Sequence, residues 1–281
     1  MKLPAFVERA LQDERVNFVI TNRIPRRALT RFMGWFSEIE QPIVRTASIA
    51  AFATFAGDLR LHEAKKTSFR SLHDCFVREL KDGARPVDRS PSVLVSPSDG
   101  IVGASGTIDG DELLQAKGST YSLEELLEDR AAAARYHGGS YVTLRLTANM
   151  YHRFHAPADC RVEGTHRVAG DLWNVNPPAV RRVPRLYCRN ERVVIHTRLA
   201  SSDHCVALVA VGAILVGSVQ LAPLDRPFAR GDEMGYFRHG STIIVIAGAG
   251  LSLDDRVRAG AVIRMGEALL QLRHAMCPDR R

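Results

Sequence analysis

A serine that follows a glycine, Ser241, lies close to the C-terminus of this 281-residue chain and leads directly into the apolar run 243–247. A hydroxyl in this position faces a glycine carbonyl that no Cβ obstructs, and glycine tolerates the strained backbone that attack on it requires. Ser241 is therefore a candidate nucleophile, with Gly240 as the acyl donor. The tripeptide by itself favours an ordinary turn residue that starts a strand.

The same Gly-Ser-Thr tripeptide occurs at residues 118–120, where its context is different. Ser122 and Glu125 form a capping box ahead of an amphipathic helix predicted over residues 123–135. Ser119 is therefore interpreted as a residue of a helix start. No comparable helix signal follows Ser241.

Two histidines, His152 and His155, lie three residues apart after a predicted strand. One tight loop could direct both toward a serine that needs a base. Structural or surface histidines remain an alternative, and a metal pair is less favoured because no further ligand is suitably spaced. Asp99, in a turn between Pro97 and Gly100, could orient an imidazole, or could be an ordinary turn aspartate.

The composition is that of a globular protein, with 46% hydrophobic and 25% charged residues. The formal net charge of +7 indicates a polyanionic partner, which could be nucleic acid, an anionic membrane surface or an acidic substrate. The five cysteines are scattered without Cys-x-x-Cys spacing, which argues against a disulfide framework and against a zinc site. No metal site is predicted.

The N-terminal region combines basic and aromatic residues in a way that suits a bilayer interface. Residues 16–37 contain no acidic residue, and arginines such as Arg31 alternate with aromatics such as Trp35. A basic helix packed on its own domain is the alternative, and no nucleic-acid module is recognisable. The apolar run 43–56 is too short to span a bilayer. Residues 1–20 show no secretory signal, so we expect a cytoplasmic, peripherally attached protein.

Hydrophobic patterning divides the chain into two regions. Residues 1–82 are predicted to be helical and to associate with the membrane, whereas residues 83–281 contain short Val/Ile-rich runs bounded by turn residues. The second region is predicted to be the catalytic domain. The fold class expected is α+β, with a mostly antiparallel β sandwich or barrel-like catalytic domain.

Many short motifs occur along the chain in a family-specific order. The chain resembles the phosphatidylserine decarboxylases, pyruvoyl-dependent enzymes of phosphatidylethanolamine synthesis. The motifs that carry the resemblance are residues 83–88, 96–100, 115–118, 121–123, 151–157, 170–172, 175–177, 189–193, 211–213, 216–218, 231–235 and 240–242.

The resemblance implies roles for the candidate residues. Asp99, His155 and Ser241 would form a self-processing triad, with His155 as the base and Asp99 fixing its tautomer. His152 would serve decarboxylation as a proton donor or orienting group. A swap of roles between the two histidines stays open at this point.

The resemblance also implies cleavage between Gly240 and Ser241 into a β chain (1–240) and an α chain (241–281). Ser241 would become a pyruvoyl group, the covalent cofactor, which forms a Schiff base with the amine of phosphatidylserine. The expected partners are phosphatidylserine in an anionic membrane and the two chains of one precursor, with no nucleic acid. The expected location is the cytoplasmic face of the cell membrane, and the oligomeric state is left open, a homodimer included.

One departure from the family pattern is His239, where the most familiar bacterial form has leucine. This titratable group beside the scissile bond could alter the pH dependence of processing. Two other function classes stay open. One is a membrane-associated binding protein that has lost processing, and the other is a serine hydrolase using Ser241, His155 and Asp99, which the lack of a Gly-x-Ser-x-Gly elbow disfavours.

Overall fold

The computed structural model describes residues 13–22, 24–116, 119–214, 219–238 and 241–272, and for Ser241 it describes the backbone. Among the residues and motifs given above, His239, Gly240, residues 117–118 of one motif and residues 216–218 lie outside the described residues.

Helices dominate the N-terminal region, as predicted, and short helices recur between the strands. They are α1 (Glu14–Asn22), α2 (Arg26–Ser37), α3 (Pro42–Ala56), a 3-10 turn (Leu61–Glu63), α4 (Leu72–Phe76), α5 (Leu123–Leu127), α6 (Arg130–Ala134), α7 (Pro177–Arg182) and α8 (Leu186–Arg189). The ends of α3 follow from its sequence: Pro42 occupies the first turn, the Gln41 side chain accepts a hydrogen bond from the Val44 amide, and Gly57 ends the helix at a φ of 84°.

The helix predicted over residues 123–135 is divided in two. The Ser122 side chain caps α5, accepting a hydrogen bond from the Glu125 amide, as the sequence predicts. Glu128 then adopts a left-handed conformation with φ 48°, which ends α5, and the Asp129 side chain caps α6. The pattern missed this break because a second capping residue lies inside the apolar periodicity.

Fifteen described strands form four antiparallel sheets, apart from isolated bridges. They are β1 (Val93–Val95), β2 (Gly100–Thr107), β3 (Glu112–Ala116), β4 (Ser119–Ser122), β5 (Ser140–Leu146), β6 (Arg153–His155), β7 (Cys160–Val168), β8 (Arg192–Leu199), β9 (Cys205–Gly212), β10 (Val219–Leu221), β11 (Glu233–Phe237), β12 (Ser241–Ala247), β13 (Leu251–Leu253), β14 (Val262–Ile263) and β15 (Ala268–Leu272).

The largest sheet has seven strands in the order β14-β2-β5-β12-β9-β8-β7. Side chains of β12 alternate between its two faces: Ile243 and Val245 belong to one apolar cluster, and Ile244 and Ile246 belong to another. Residues of the small sheets β1-β15-β13 and β10-β11-β6 cover the first face, and residues of α5 to α8 with β3 and β4 cover the second.

This layering confirms the predicted α+β class with mostly antiparallel sheets and N-terminal helices. Within the described part of the chain the sheets do not close into a barrel, so the sandwich-like alternative describes the molecule better. The domain boundary between residues 82 and 83 stays a prediction.

The N-terminal helices leave much of their apolar surface exposed. No residue of α3 is buried, and the large apolar side chains Phe32, Trp35, Ile43 and Phe55 are 52%, 64%, 76% and 67% exposed. None of the described helices combines the length and the apolar character needed to cross a membrane.

Candidate active site

Ser241 is the first residue of a central strand. Its backbone lies opposite Leu146 of β5 on one side and opposite Gly212 of β9 on the other. The segment that leads to it is also held, because the Phe237 amide donates a hydrogen bond to the His152 carbonyl. Further along, the Arg238 side chain forms an ion pair with Glu38, just after α2. Both sides of the predicted cleavage point are thus tied to the fold.

Asp99 lies at the same end of the large sheet as Ser241. It immediately precedes β2, in which Ile101 pairs with Arg145 of β5, and Arg145 in turn pairs with Thr242 of β12. With strands spaced about 4.8 Å apart, the backbones of β2 and β12 are about 10 Å apart. The sheet register therefore brings two of the predicted triad residues to one edge.

The Asp99 carboxylate is buried and bound by an arginine that the sequence analysis did not single out. Arg85 donates from Nε to Oδ1 at 2.8 Å and from a terminal nitrogen to Oδ2 at 2.6 Å, and the Met265 amide donates to Oδ1 at 3.0 Å. Arg85 also binds Glu63 at 2.8 Å. Burial lowers the pKa of Arg85, but the bonds to Asp99 and Glu63 outweigh it and raise that pKa overall. This geometry fixes Asp99 through a bidentate, charge-assisted pair.

His155 is buried, and both of its ring nitrogens have partners. Nδ1 lies 2.8 Å from the Gly231 carbonyl oxygen, and Nε2 lies 2.9 Å from the Tyr151 hydroxyl. A carbonyl only accepts, so Nδ1 carries the proton, and Nε2 accepts from the tyrosine. Burial lowers the pKa of His155 to about 4. At neutral pH this imidazole is therefore uncharged, with Nε2 as the basic nitrogen.

Asp99 was expected to fix the tautomer of His155, and the structure gives that position to the Gly231 carbonyl instead. Among the described residues, the hydrogen bonds of the Asp99 side chain go to Arg85 and Met265. Asp99 nevertheless lies close enough to favour the charged form of His155 through its own charge. Its place in a processing triad stays a prediction.

His152 is fully buried in a different environment. Its ring stacks on Phe76 with centroids 4.0 Å apart, and its Nε2 lies 3.1 Å from the Thr147 carbonyl oxygen. Because that carbonyl accepts, Nε2 of His152 carries a proton. The two histidines thus differ at the same ring atom, which donates in His152 and accepts in His155. This difference favours His155 as the base.

The loop that precedes these histidines is anchored by a second buried arginine, Arg78. It donates to the carbonyls of Leu59 at 2.8 Å and of Asn149 at 3.0 Å. Arg78, Arg85, Tyr151 and Gly231 hold the predicted site residues or their loops in place, and residue-by-residue reasoning did not name them. Three of the four lie inside or beside motifs that carried the resemblance, which was the available signal.

No group of three or more histidine, cysteine, aspartate or glutamate residues arranged to hold a metal ion occurs in the part of the chain that the structure describes.

Comparison with known proteins agrees with these features. The family model described as phosphatidylserine decarboxylase matches residues 72–271, and a second model, described as PSD, matches residues 20–55. The chain belongs to the phosphatidylserine decarboxylase family. Family membership makes it a decarboxylase, that is, a carboxy-lyase.

Similar proteins named phosphatidylserine decarboxylase proenzyme occur in several bacteria. The protein of Anaeromyxobacter sp. (strain K) is 38% identical over 92% of this chain and 98% of its own length. Those of Halorhodospira halophila and Erwinia tasmaniensis are 36% and 34% identical, over 93% and 91% of this chain and 96% and 94% of their own lengths. The family recognised from motifs is therefore confirmed over nearly the whole chain.

Proposed function

We propose that this chain is a self-cleaving, pyruvoyl-dependent enzyme that converts phosphatidylserine to phosphatidylethanolamine and carbon dioxide. Similarity to the named proenzymes supports the substrate and the reaction. The observation that supports the processing step is that the Asp99 turn reaches the Ser241 end of the large sheet on β2, and that His155, whose amide donates to the Pro97 carbonyl in this turn, has an unprotonated Nε2.

Cleavage would begin when the Ser241 hydroxyl, deprotonated by His155, attacks the Gly240 carbonyl carbon. The peptide C–N bond breaks, the freed amine takes the proton, and an ester joins Gly240 to the serine oxygen. Loss of the Ser241 α-proton then expels the Gly240 carboxylate and leaves a dehydroalanine. Hydrolysis of that residue with one water releases ammonia and leaves a pyruvoyl group at the start of the α chain, residues 241–281.

The position of residue 241 suits such a new chain end. The following residues, 242–247, pair with β5 and β9 on both sides, so cutting the chain before residue 241 leaves the strand in place. A pyruvoyl carbonyl at this point supplies an electrophile for the substrate amine and a sink for the electrons left when carbon dioxide departs. We assign His152, whose Nε2 holds a proton, to donating a proton or orienting the substrate.

We also propose that the N-terminal helices hold the enzyme peripherally on the cytoplasmic face of an anionic membrane. Phe32, Trp35, Ile43 and Phe55 present exposed apolar surface, and Arg31 is exposed on the same helix as Trp35. Apolar groups can enter the interfacial region of a bilayer while arginine contacts anionic headgroups. The enzyme would thus bind phosphatidylserine within the membrane that contains it.

Denaturing electrophoresis tests the processing step. Wild type should separate into the two pieces 1–240 and 241–281, and Ser241→Ala should stay at 31.1 kDa. Ser252→Ala is the matched control, because Ser252 lies on β13, away from the Ser241 end of β12, and should leave cleavage unchanged. Mass spectrometry of the small piece should show a pyruvoyl-blocked first residue. An intact wild-type chain that releases carbon dioxide would refute the mechanism.

Carbon dioxide release from phosphatidylserine in mixed micelles tests the reaction. Cleaved wild type should be active and Ser241→Ala inactive. Labelling of the intact wild-type chain by a serine-directed fluorophosphonate, without carbon dioxide release, would instead indicate the hydrolase alternative.

A further inference from the structure

A cavity of about 170 Å³ lies beside Asp99 and is unusually rich in arginine. Counted over the described residues, four guanidinium groups and two carboxylates line it. They belong to Arg60, Arg78, Arg85, Arg264, Glu63 and Asp99. The cations therefore outnumber the anions by two.

The charges are not evenly matched. Arg85 is bound to both carboxylates, and Arg60 lies 3.0 Å from Glu63. Arg78 and Arg264 have no carboxylate partner among the described residues. The excess positive charge of the cavity thus resides on these two side chains.

Of these two arginines, Arg78 is the one whose burial costs more free energy. It is only 5% exposed, and although its terminal nitrogens donate to backbone carbonyls, its Nε finds no hydrogen-bond partner in the part of the chain that the structure describes. Leaving a buried donor of a charged group without a partner destabilises the fold. An anion in the cavity would neutralise the charge and offer an acceptor.

The cavity also lies beside the processing site. Its lining includes Thr147, which directly follows Leu146, the partner of Ser241, and Tyr151, which donates to His155. In a phosphoserine headgroup only a few covalent bonds separate the reacting amine from phosphorus. A phosphoryl group bound here would therefore place that amine near residue 241.

We propose that this cavity is an oxyanion subsite for a phosphoryl group, held by Arg78 and Arg264. Planar guanidinium groups match the geometry of phosphate oxygens and bind them through charge-assisted hydrogen bonds. The same chemistry is offered by the phosphodiester of a lipid headgroup and by free phosphate. Assignment to the headgroup rests on the proposed function, whereas phosphoryl binding does not.

Binding to the uncleaved Ser241→Ala chain tests the subsite without requiring activity. Inorganic phosphate, compared with chloride at equal ionic strength, should raise the melting temperature and give a measurable Kd by calorimetry. Arg264→Gln should weaken phosphate binding about tenfold or more, because one charge-assisted contact is lost. Arg264 is suitable because none of the described residues forms an ion pair with it and because it lies partly exposed.

Arg258→Gln is the matched control. It removes the same charge from an exposed loop residue that is near in sequence and does not line the cavity, and phosphate binding should remain as in the parent chain. Equal phosphate binding by the Arg264→Gln and Arg258→Gln chains, or no binding by the parent, would overturn the proposal.

Kinetics of the cleaved enzyme distinguish the two sources of the phosphoryl group, the lipid headgroup and free phosphate. If the headgroup is the ligand, Arg264→Gln should raise KM for phosphatidylserine with little change in kcat, and phosphate should compete with substrate. If free phosphate is the ligand, KM should stay unchanged while the variant loses phosphate binding. A wild type that binds phosphate but releases no carbon dioxide would refute the proposed function and leave the subsite standing.

Discussion

Two apolar segments of this chain differ in how deeply they are buried. Residues 243–247 of β12 are completely buried, whereas no residue of α3 is buried, and Ile244 and Ile43 are 0% and 76% exposed. The difference lies in their surroundings, because β12 has a partner strand on each side and an apolar layer on each face. Apolar composition alone therefore does not decide which segment belongs to the core.

The arginines of the same two regions also differ in burial. Near Ser241, Arg85 and Arg78 are buried and bound by carboxylates or carbonyls. In α2, Arg31 remains exposed beside exposed aromatic side chains. Near Ser241 the arginines hold buried groups in place, whereas in α2 the arginine is exposed at the surface.

The largest effect on stability is expected at the buried ion pair of the site. Arg85→Gln leaves Asp99 buried without its counter-charge, which should lower the free energy of unfolding by about 3–5 kcal/mol. Urea denaturation of the Ser241→Ala chain, with and without the change, measures it. Arg258→Gln, at an exposed position, should shift the free energy by no more than about 0.5 kcal/mol. Similar small losses for both would mean that the pair is not a buried anchor.

The contrast between the two isoleucines can be tested directly. Ile244→Ala removes side-chain atoms from a fully packed position and should cost about 2–5 kcal/mol in the free energy of unfolding. Ile43→Ala should change it by about 0.5 kcal/mol or less. Denaturant unfolding of both variants measures these two changes in the free energy of unfolding. Comparable losses would show that α3 is part of the packed core in solution.

Removing the tyrosine hydroxyl should shift the pH dependence of self-cleavage. Tyr151 donates to Nε2 of neutral His155, which opposes protonation of the ring, and burial lowers the pKa of His155 to about 4. Cleavage should therefore be flat near neutral pH and fall only as pH approaches 4. Tyr151→Phe should raise that pKa by up to about one unit and move the acid limb to higher pH.

A pH-jump time course on newly translated precursor measures the acid limb of the cleavage profile. Tyr236→Phe is a matched control, because Tyr236 lies on β11, which pairs with β6, and it should leave the acid limb unchanged. Linkage gives the same sign for stability: the unfolded histidine titrates near 6.5 and the folded one near 4, so stability should fall as pH drops from 6.5 toward 4. Identical acid limbs in wild type and Tyr151→Phe would argue against His155 as the base.

The smallest effect is expected at the exposed helices. Trp35→Ala should weaken binding to phosphatidylglycerol vesicles about fivefold, because its exposed ring can no longer enter the interface. These anionic vesicles offer no reactive amine, so sedimentation reports binding alone. Leu114→Ala, at a 40% exposed site on β3, serves as the control. Equal binding by both variants would remove α2 from the membrane contact.

The sequence by itself determined the family, the class of fold and the four catalytic candidates, because these depend on local patterning and on motifs in order. It predicted the apolar strand after Ser241 and the helix start at Ser122, both of which need only neighbouring residues. It could not foresee the left-handed Glu128, where two competing caps lie within one helical pattern.

Tertiary structure alone decided which groups meet. Asp99 binds Met265, 166 residues away, and His155 donates to Gly231, 76 residues away, in preference to the aspartate predicted to orient it. Such pairings depend on strand register, and a shift of one residue would turn every side chain to the other face. The burial that keeps the His155 imidazole neutral is likewise set by packing between sheets, which no local stretch of sequence specifies.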